Sequence, residues 1–211
     1  MAEVAGSAAP GDAQAEAARE AAIRAESAGV RVVLLSFVDN AGVTRARAIP
    51  LRLFERAAIW GVGLSSAWYT VTATDAVTSS PYVGNPAGDI RLVPDPGALR
   101  LLAAQPGWAW APTDQFNQDG MRHPCCARSY LRRMTSRAAD SGLTLKISFE
   151  LEWFMAETAR GPAAPAHDGP GVGAQALVQL SEFVSDLVDA LDQQDVGMEA
   201  INGEYSDGQL E

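Results

Sequence analysis

Cysteine and histidine are scarce in this 211-residue chain, with two of each. Cys125 and Cys126 are adjacent, so they build no disulfide framework, and a reducing cytoplasm is the expected setting. His123 and His167 are too few for a His-rich zinc site, and no CxxC spacing exists. Basic charge is also short. Sixteen Lys and Arg face 26 Asp and Glu, a net charge of -10, which argues against a nucleic-acid surface. No apolar run reaches the length of a membrane span, and the start lacks the basic and apolar pattern of a signal peptide. Neither Gly61-Val62-Gly63 nor Gly169-Pro170-Gly171-Val172-Gly173-Ala174 follows a strand with phosphate-loop spacing, so a nucleotide-binding glycine loop is not indicated.

What is present suits a globular chain. A hydrophobic share of 47% supports one or two compact domains with a real core. Residues 1–12 read as a disordered start, and Ala13 to Ala28 as a helix of good formers stopped by Gly29. Arg31 to Val38 and Val43 to Ile49 flank Asp39-Asn40-Ala41-Gly42, which predicts a hairpin. Pro50 ends its second strand, and Leu51 to Ile59 reads as a short helix. Gly61 to Gly88 reads as irregular. Short strands are expected at Asp89 to Val93 and Trp108 to Pro112, with turns at Pro94-Asp95-Pro96-Gly97 and Asn117 to Gly120. Residues 30–121 thus form an expected small α+β domain, preceded by a 1–29 lead.

The expected second domain covers residues 122–211. A helix is predicted across Pro124 to Gly142, with Tyr130, Leu131, Met134 and Ala138 at helical spacing. A Pro/Gly-rich loop spans Gly161 to Gly173. One long helix is predicted over Ala174 to Gln194, with Leu177, Leu180, Val184, Leu187, Val188 and Leu191 on its apolar face. A further strand is expected to begin at Val196 to Ile201.

Between the first helix and the loop lies the most telling stretch. Ile147, Phe149, Leu151, Trp153 and Met155 alternate with Lys146, Ser148, Glu150 and Glu152. That is the period of a half-buried strand, whose apolar underside the long helix would cover. It sets Glu150 and Glu152 on one face, ~7 Å apart by strand rise. Downstream, Glu204 and Glu211 flank Ser206-Asp207-Gly208, a turn signal that can fold both carboxylates to one side. If this segment lies beside the Glu-x-Glu strand, four carboxylates converge, and divalent cations are the natural relief of their repulsion. A solvated acidic face is the plain alternative for each pair taken separately.

These residues resemble the glutamine synthetase family. The order Glu150-Leu151-Glu152-Trp153-Phe154, a long helix, then Gly197-Met198-Glu199, Glu204 and Gly208-Gln209-Leu210-Glu211 is similar to the family's catalytic pattern. Val38 to Pro50 resembles the first hairpin of its N-terminal β-grasp domain, and Gly88 to Pro96 its D-x-x-L-x-P-D segment. Asp119-Gly120, Pro124 and Arg128 resemble the passage into the catalytic domain. The resemblance implies an α+β fold: a small β-grasp domain, then the incomplete start of a catalytic domain with an antiparallel sheet and packed helices. It implies Mg²⁺ or Mn²⁺ held by Glu152, Glu204 and Glu211, a second ion at Glu150, and Glu199 near the nucleotide. The implied reaction is ATP-dependent: the γ-carboxylate of glutamate becomes an acyl phosphate, and ammonia or another amine displaces the phosphate. A homo-oligomer is implied as well. The individual catalytic groups stay unassigned.

Two departures qualify this expectation. The family's Gly-rich segment with its metal-binding His would lie beyond Glu211, and His123 and His167 stand on the wrong side of the motif to replace it. The chain therefore reads as the first part of a longer enzyme or a shortened frame, inactive alone. The alternatives are a non-catalytic assembly or regulatory module derived from the family, and a generic cation-binding α+β protein. Gly61 to Ser66 also lacks the Asp of the family's ammonia-using loop, which leaves the amine open: ammonia, a monoamine or a polyamine.

Overall fold

The computed structural model describes residues 12–81, 83, 88–157 and 164–211. Most of the expected disordered start and part of the Pro/Gly-rich loop lie outside the described residues. The chain forms two compact units, one ending at Leu145 and one beginning at Lys146.

In the first unit, α1 (Asp12–Ser27) is stopped at Gly29, whose φ of +81° suits glycine. Ala18, Ala21 and Ala25 make one buried face at helical spacing. Their small side chains let α1 approach α2 (Phe54–Trp60), with Gln14 Nε2 donating to Ala58 O at 3.0 Å and Arg19 pairing with Glu55 at 3.1 Å. Pro50 ends the preceding strand, and a single turn of 3-10 helix, Leu51–Leu53, leads into α2.

β1 (Val32–Val38) and β2 (Thr44–Pro50) form the predicted antiparallel hairpin, with Val38 opposite Thr44. Asp39 builds its turn: Oδ1 accepts from the amides of Ala41 and Val43, each at 2.9 Å. Arg45 then bridges Asp39 at 2.8 Å and Asp75 at 2.7 Å and lies 4.8 Å from the Trp68 ring. β3 (Val62–Ser65), β4 (Asp89–Pro94), β5 (Arg100–Leu101) and β6 (Trp108–Phe116) complete a sheet of order β2-β1-β6-β4-β3, with β5 also on β6. β1 and β6 run parallel; every other pair is antiparallel. Val33, Leu35, Ala109 and Ala111 face Phe54, Ala57 and Ala58 in the core.

Gly61 to Gly88 was expected to be irregular; its first part instead carries β3, because Leu64 is buried against Phe37, Ile90 and Leu92. Glycine-rich segments lose strand propensity but regain order when a neighbouring strand accepts their backbone.

α3 (Ala127–Asp140) begins on Cys126, whose Sγ accepts from the Ser129 amide at 3.4 Å. It sits in the first unit through polar contacts. Asp114 receives Arg122 and Arg132 at 2.9 Å and Arg128 at 3.2 Å, and Arg128 also pairs with Asp95. Of the four apolar residues at helical spacing, Met134 and Ala138 are half-buried. Tyr130 and Leu131 are 55% and 59% exposed, whereas Ser129 is buried. Arg128 and Arg132, drawn from the helix to one largely buried carboxylate that Arg122 also holds, set the helix's rotation.

The second unit differs from expectation in three ways. The strand predicted through Ile147 to Met155 makes ladder bonds only at β7 (Trp153–Phe154). Ile147, Phe149 and Leu151 are 66%, 88% and 72% exposed, so the helix does not cover that underside among the described residues. The period was right for a strand, but a ladder also needs a partner, and only one short segment reaches it. The long helix is divided at Leu180 (φ -106°, ψ 20°) into α4 (Ala174–Gln179) and α5 (Ser181–Gln193). Hydrogen bonds still run through the break, from Leu180 N to Ala176 O and from Val184 N to Leu180 O. The predicted apolar face is the half-buried one, and Trp153 meets Phe183 at 6.4 Å between ring centroids. Val196 to Ile201 forms no ladder.

Candidate metal centre

The site is built by a hairpin at the end of the chain. Glu204 N donates to Gln209 O at 2.9 Å, and Gln209 N donates to Ser206 O at 3.0 Å. Asn202 and Glu211 exchange backbone hydrogen bonds, both 3.1 Å. The turn needs Gly208. Its φ is +80°, and a Cβ there would stand 2.7 Å from Phe154 Cε2 and 2.8 Å from Met155 O. That closeness lets Met155 N donate to Gly208 O at 2.7 Å.

The returning arm of the hairpin, β8 (Gln209–Leu210), pairs antiparallel with β7, Trp153 opposite Leu210. One step further along that register, Glu152 stands opposite Glu211. Because alternate residues share a face, Glu150 joins them. One carboxylate oxygen from each of Glu150, Glu152 and Glu211 lies within 4.8 Å of the others. Glu204 is outside this group of three but near enough to act on it electrostatically. Glu199 lies exposed in the irregular stretch before the hairpin.

Two amides that were not assigned roles from sequence orient the carboxylates. Asn202 Nδ2 donates to Glu211 Oε1 at 2.7 Å, and Gln209 Nε2 donates to Glu152 Oε2. Both sit in the motif that was read, but an amide's role depends on which strand faces it. Among the described residues every Lys or Arg ion pair lies in the first unit, so no described Lys or Arg pairs with this cluster. Glu150 is pushed above the usual carboxyl range, first by its hydrogen bond to Glu211 and then by the neighbouring charges. Glu211 is held below that range, chiefly by the Asn202 amide. Of the two, Glu150 is therefore the one that takes up a proton more readily as pH falls.

A hard divalent cation fits this donor set, because every donor is a carboxylate oxygen on one face. Mg²⁺ binds oxygens at about 2.0–2.1 Å, so its ligand atoms span about 4.2 Å at most.

Residues 17–123 match the glutamine synthetase N-terminal domain, and residues 124–211 match the glutamine synthetase catalytic domain. The chain is 42% identical over 207 residues to a gamma-glutamylpolyamine synthetase, GlnA3, of Streptomyces coelicolor; the match covers 96% of this chain and 44% of that protein. It is 24% identical over 179 residues to a gamma-glutamylanilide synthase of an Acinetobacter species, covering 79% and 36% respectively. A crystal structure of a novel glutamine synthase homolog superimposes with a TM-score of 0.69 and 28% identity, over 86% of this chain and 42% of that one. The chain thus spans less than half the length of the curated relatives it matches.

Proposed function

The chain belongs to the glutamine synthetase family, and we propose that its glutamate cluster is part of the metal site of an ATP-dependent ligase joining glutamate to an amine. The convergence of Glu150, Glu152 and Glu211, from separate stretches of chain, carries this reading. Glu152, Glu204 and Glu211 would hold one Mg²⁺ or Mn²⁺, Glu150 would face a second, and Glu199 would lie near the nucleotide.

When bound, such ions supply neutralisation and alignment of the ATP phosphates. The γ-carboxylate oxygen of glutamate attacks the terminal phosphorus and ADP leaves. The amine nitrogen then attacks the acyl carbon, phosphate departs, and the nitrogen gives up a proton. In this chain Asn202 and Gln209 aim Glu211 and Glu152, and the Asn202 amide favours the ionised form of Glu211, so little reorganisation accompanies substrate binding.

The names of the two curated relatives favour an amine larger than ammonia, and the 42% identical one favours a polyamine. A chain charge of -10 suits a polycationic acceptor. A cytoplasmic homo-oligomer completes the reading; among the described residues no helix is long and apolar enough to cross a membrane. The exposed Ile147, Phe149 and Leu151 favour a second reading, a non-catalytic assembly module of the same descent.

Calorimetric Mn²⁺ titration of wild type against Glu152→Ala tests the site. Binding lost in the variant supports it. Equal heats from the two proteins would remove the metal assignment.

A further inference from the structure

His167 does not belong to the carboxylate cluster, yet it is only 5% exposed and its ring is aimed at the hairpin that carries the cluster. Its Nε2 lies 3.0 Å from Gln209 O. That carbonyl already accepts from Glu204 N at 2.9 Å, and a carbonyl oxygen has room for two donors. Since a carbonyl only accepts, the ring proton in this contact sits on Nε2. Nδ1 is buried and has no hydrogen-bond partner among the described residues. A buried imidazole with one nitrogen unsatisfied is costly to keep for packing alone, because an apolar side chain would fill the space without that cost.

The surroundings hold the ring in place. Ala166 N donates to Met155 O at 2.9 Å, which ties the residue before His167 to the end of β7. Val172 N donates to Gly203 O at 2.8 Å, which ties the far side of the same loop to the outgoing arm of the hairpin. Gly203 leaves no room for a side chain: a Cβ would stand 2.8 Å from the Ala176 Cβ and 3.8 Å from His167 Cε1. The loop and α4 therefore form a wall behind the hairpin, and His167 is its polar contact with the residue whose own amide holds Glu152.

We infer that His167 is a positioning residue for the glutamate cluster: by donating to the Gln209 carbonyl it fixes the strand from which Gln209 reaches Glu152 and at whose end Glu211 stands. Nothing in this role requires His167 to touch a metal or a substrate. The inference deepens the metal-site reading and rests on it for its effect on cation affinity, but the effect on the hairpin stands by itself. Residues behind a ligand set commonly change metal affinity 10–100-fold when altered. His167 acts through one intermediary residue, so about tenfold is expected.

The test compares wild type, His167→Leu and His167→Gln in the full chain. The Gln amide can reach the same carbonyl from the same distance along the side chain; Leu cannot donate. Mn²⁺ titration should show about tenfold weaker binding for His167→Leu and recovery to within about twofold for His167→Gln. A purely space-filling role would leave the two variants alike, and that result would overturn the inference. If His167→Leu does not fold, His167→Asn replaces it, because its shorter amide stops short of the carbonyl; equal affinities for the Asn and Gln variants would then overturn it. Amide hydrogen exchange, measured without metal, separates the two layers of the reading. Faster exchange at Glu204 and Glu211 in the Leu or Asn variant, restored in Gln, supports the positioning role even if wild type binds no Mn²⁺, an outcome that would sink the metal reading alone. Unchanged exchange at both amides would sink the positioning role whatever the metal does.

Discussion

Asn202 gives Glu211 three hydrogen bonds' worth of register: two through the backbone at 3.1 Å and one from its side-chain amide at 2.7 Å. The side-chain bond stabilises the ionised carboxylate, and so it keeps a ligand available in a cluster where a neighbouring glutamate is protonated more easily than usual. Asn202→Ala should leave the backbone pair in place and release this hold. Mn²⁺ affinity should fall about tenfold by calorimetry, and the carbon-13 titration of the Glu211 carboxyl should move upward in pH. An unmoved titration would show that the amide does not govern Glu211.

Gly208 joins the turn to β7, and no other residue type fits there. Gly208→Ala places a Cβ against Phe154 and Met155 at a positive φ. The strain should cost about 1–3 kcal/mol, seen as a lower denaturation midpoint, together with weaker Mn²⁺ binding. A variant as stable as wild type would mean that the turn relaxes without disturbing the site.

The first unit carries a separate pH dependence. Burial alone would raise the Asp114 carboxyl, but Arg122, Arg132 and Arg128 outweigh it and hold it below the usual range. A carboxyl depressed on folding contributes stability that is present above its unfolded pKa and lost as pH falls through its folded pKa. Asp114→Asn should therefore destabilise the protein by about 1–2 kcal/mol at neutral pH, a value reduced by the water around the half-exposed guanidiniums. The gap between variant and wild type should close as pH is lowered below the usual carboxyl range. Urea unfolding of both proteins across pH 2–7 checks this (~ five pH points suffice to fix the slope); a constant gap would contradict it.

How much of this was legible in the sequence depends on how local each feature is. The β1–β2 hairpin was readable because Asp39 to Gly42 contains its own turn chemistry, down to the carboxylate that caps it. The Ser206-Asp207-Gly208 turn was readable for the same reason, and with it the return of the chain toward the Glu-x-Glu stretch. The alternation from Lys146 to Met155 correctly grouped Glu150 with Glu152 on one face, but it could not report that only Trp153 and Phe154 find a partner. Pairing is decided by distant chain, not by period. β3 was missed because two glycines masked a strand that Leu92 and Arg91 hold from across the sheet. The orientation of α3 is not legible locally, because Asp114, outside the helix, attracts its Arg128 and Arg132. Gln209 and His167 were visible as residues, but their contact depends on a loop and a hairpin meeting.

The apolar run at Ile147, Phe149 and Leu151 is exposed on a stretch outside any helix or ladder, a combination that promotes association. Phe149→Glu should lower self-association in light scattering and leave the denaturation midpoint within about 0.5 kcal/mol of wild type. A large loss of stability would instead assign Phe149 a packed role.

Crystals of the full chain soaked in Mn²⁺ and measured at the manganese absorption edge test the central claim most directly. An anomalous peak within bonding distance of Glu150, Glu152 and Glu211 is the result expected. Peaks only at other carboxylates, or none at saturating Mn²⁺, would contradict it.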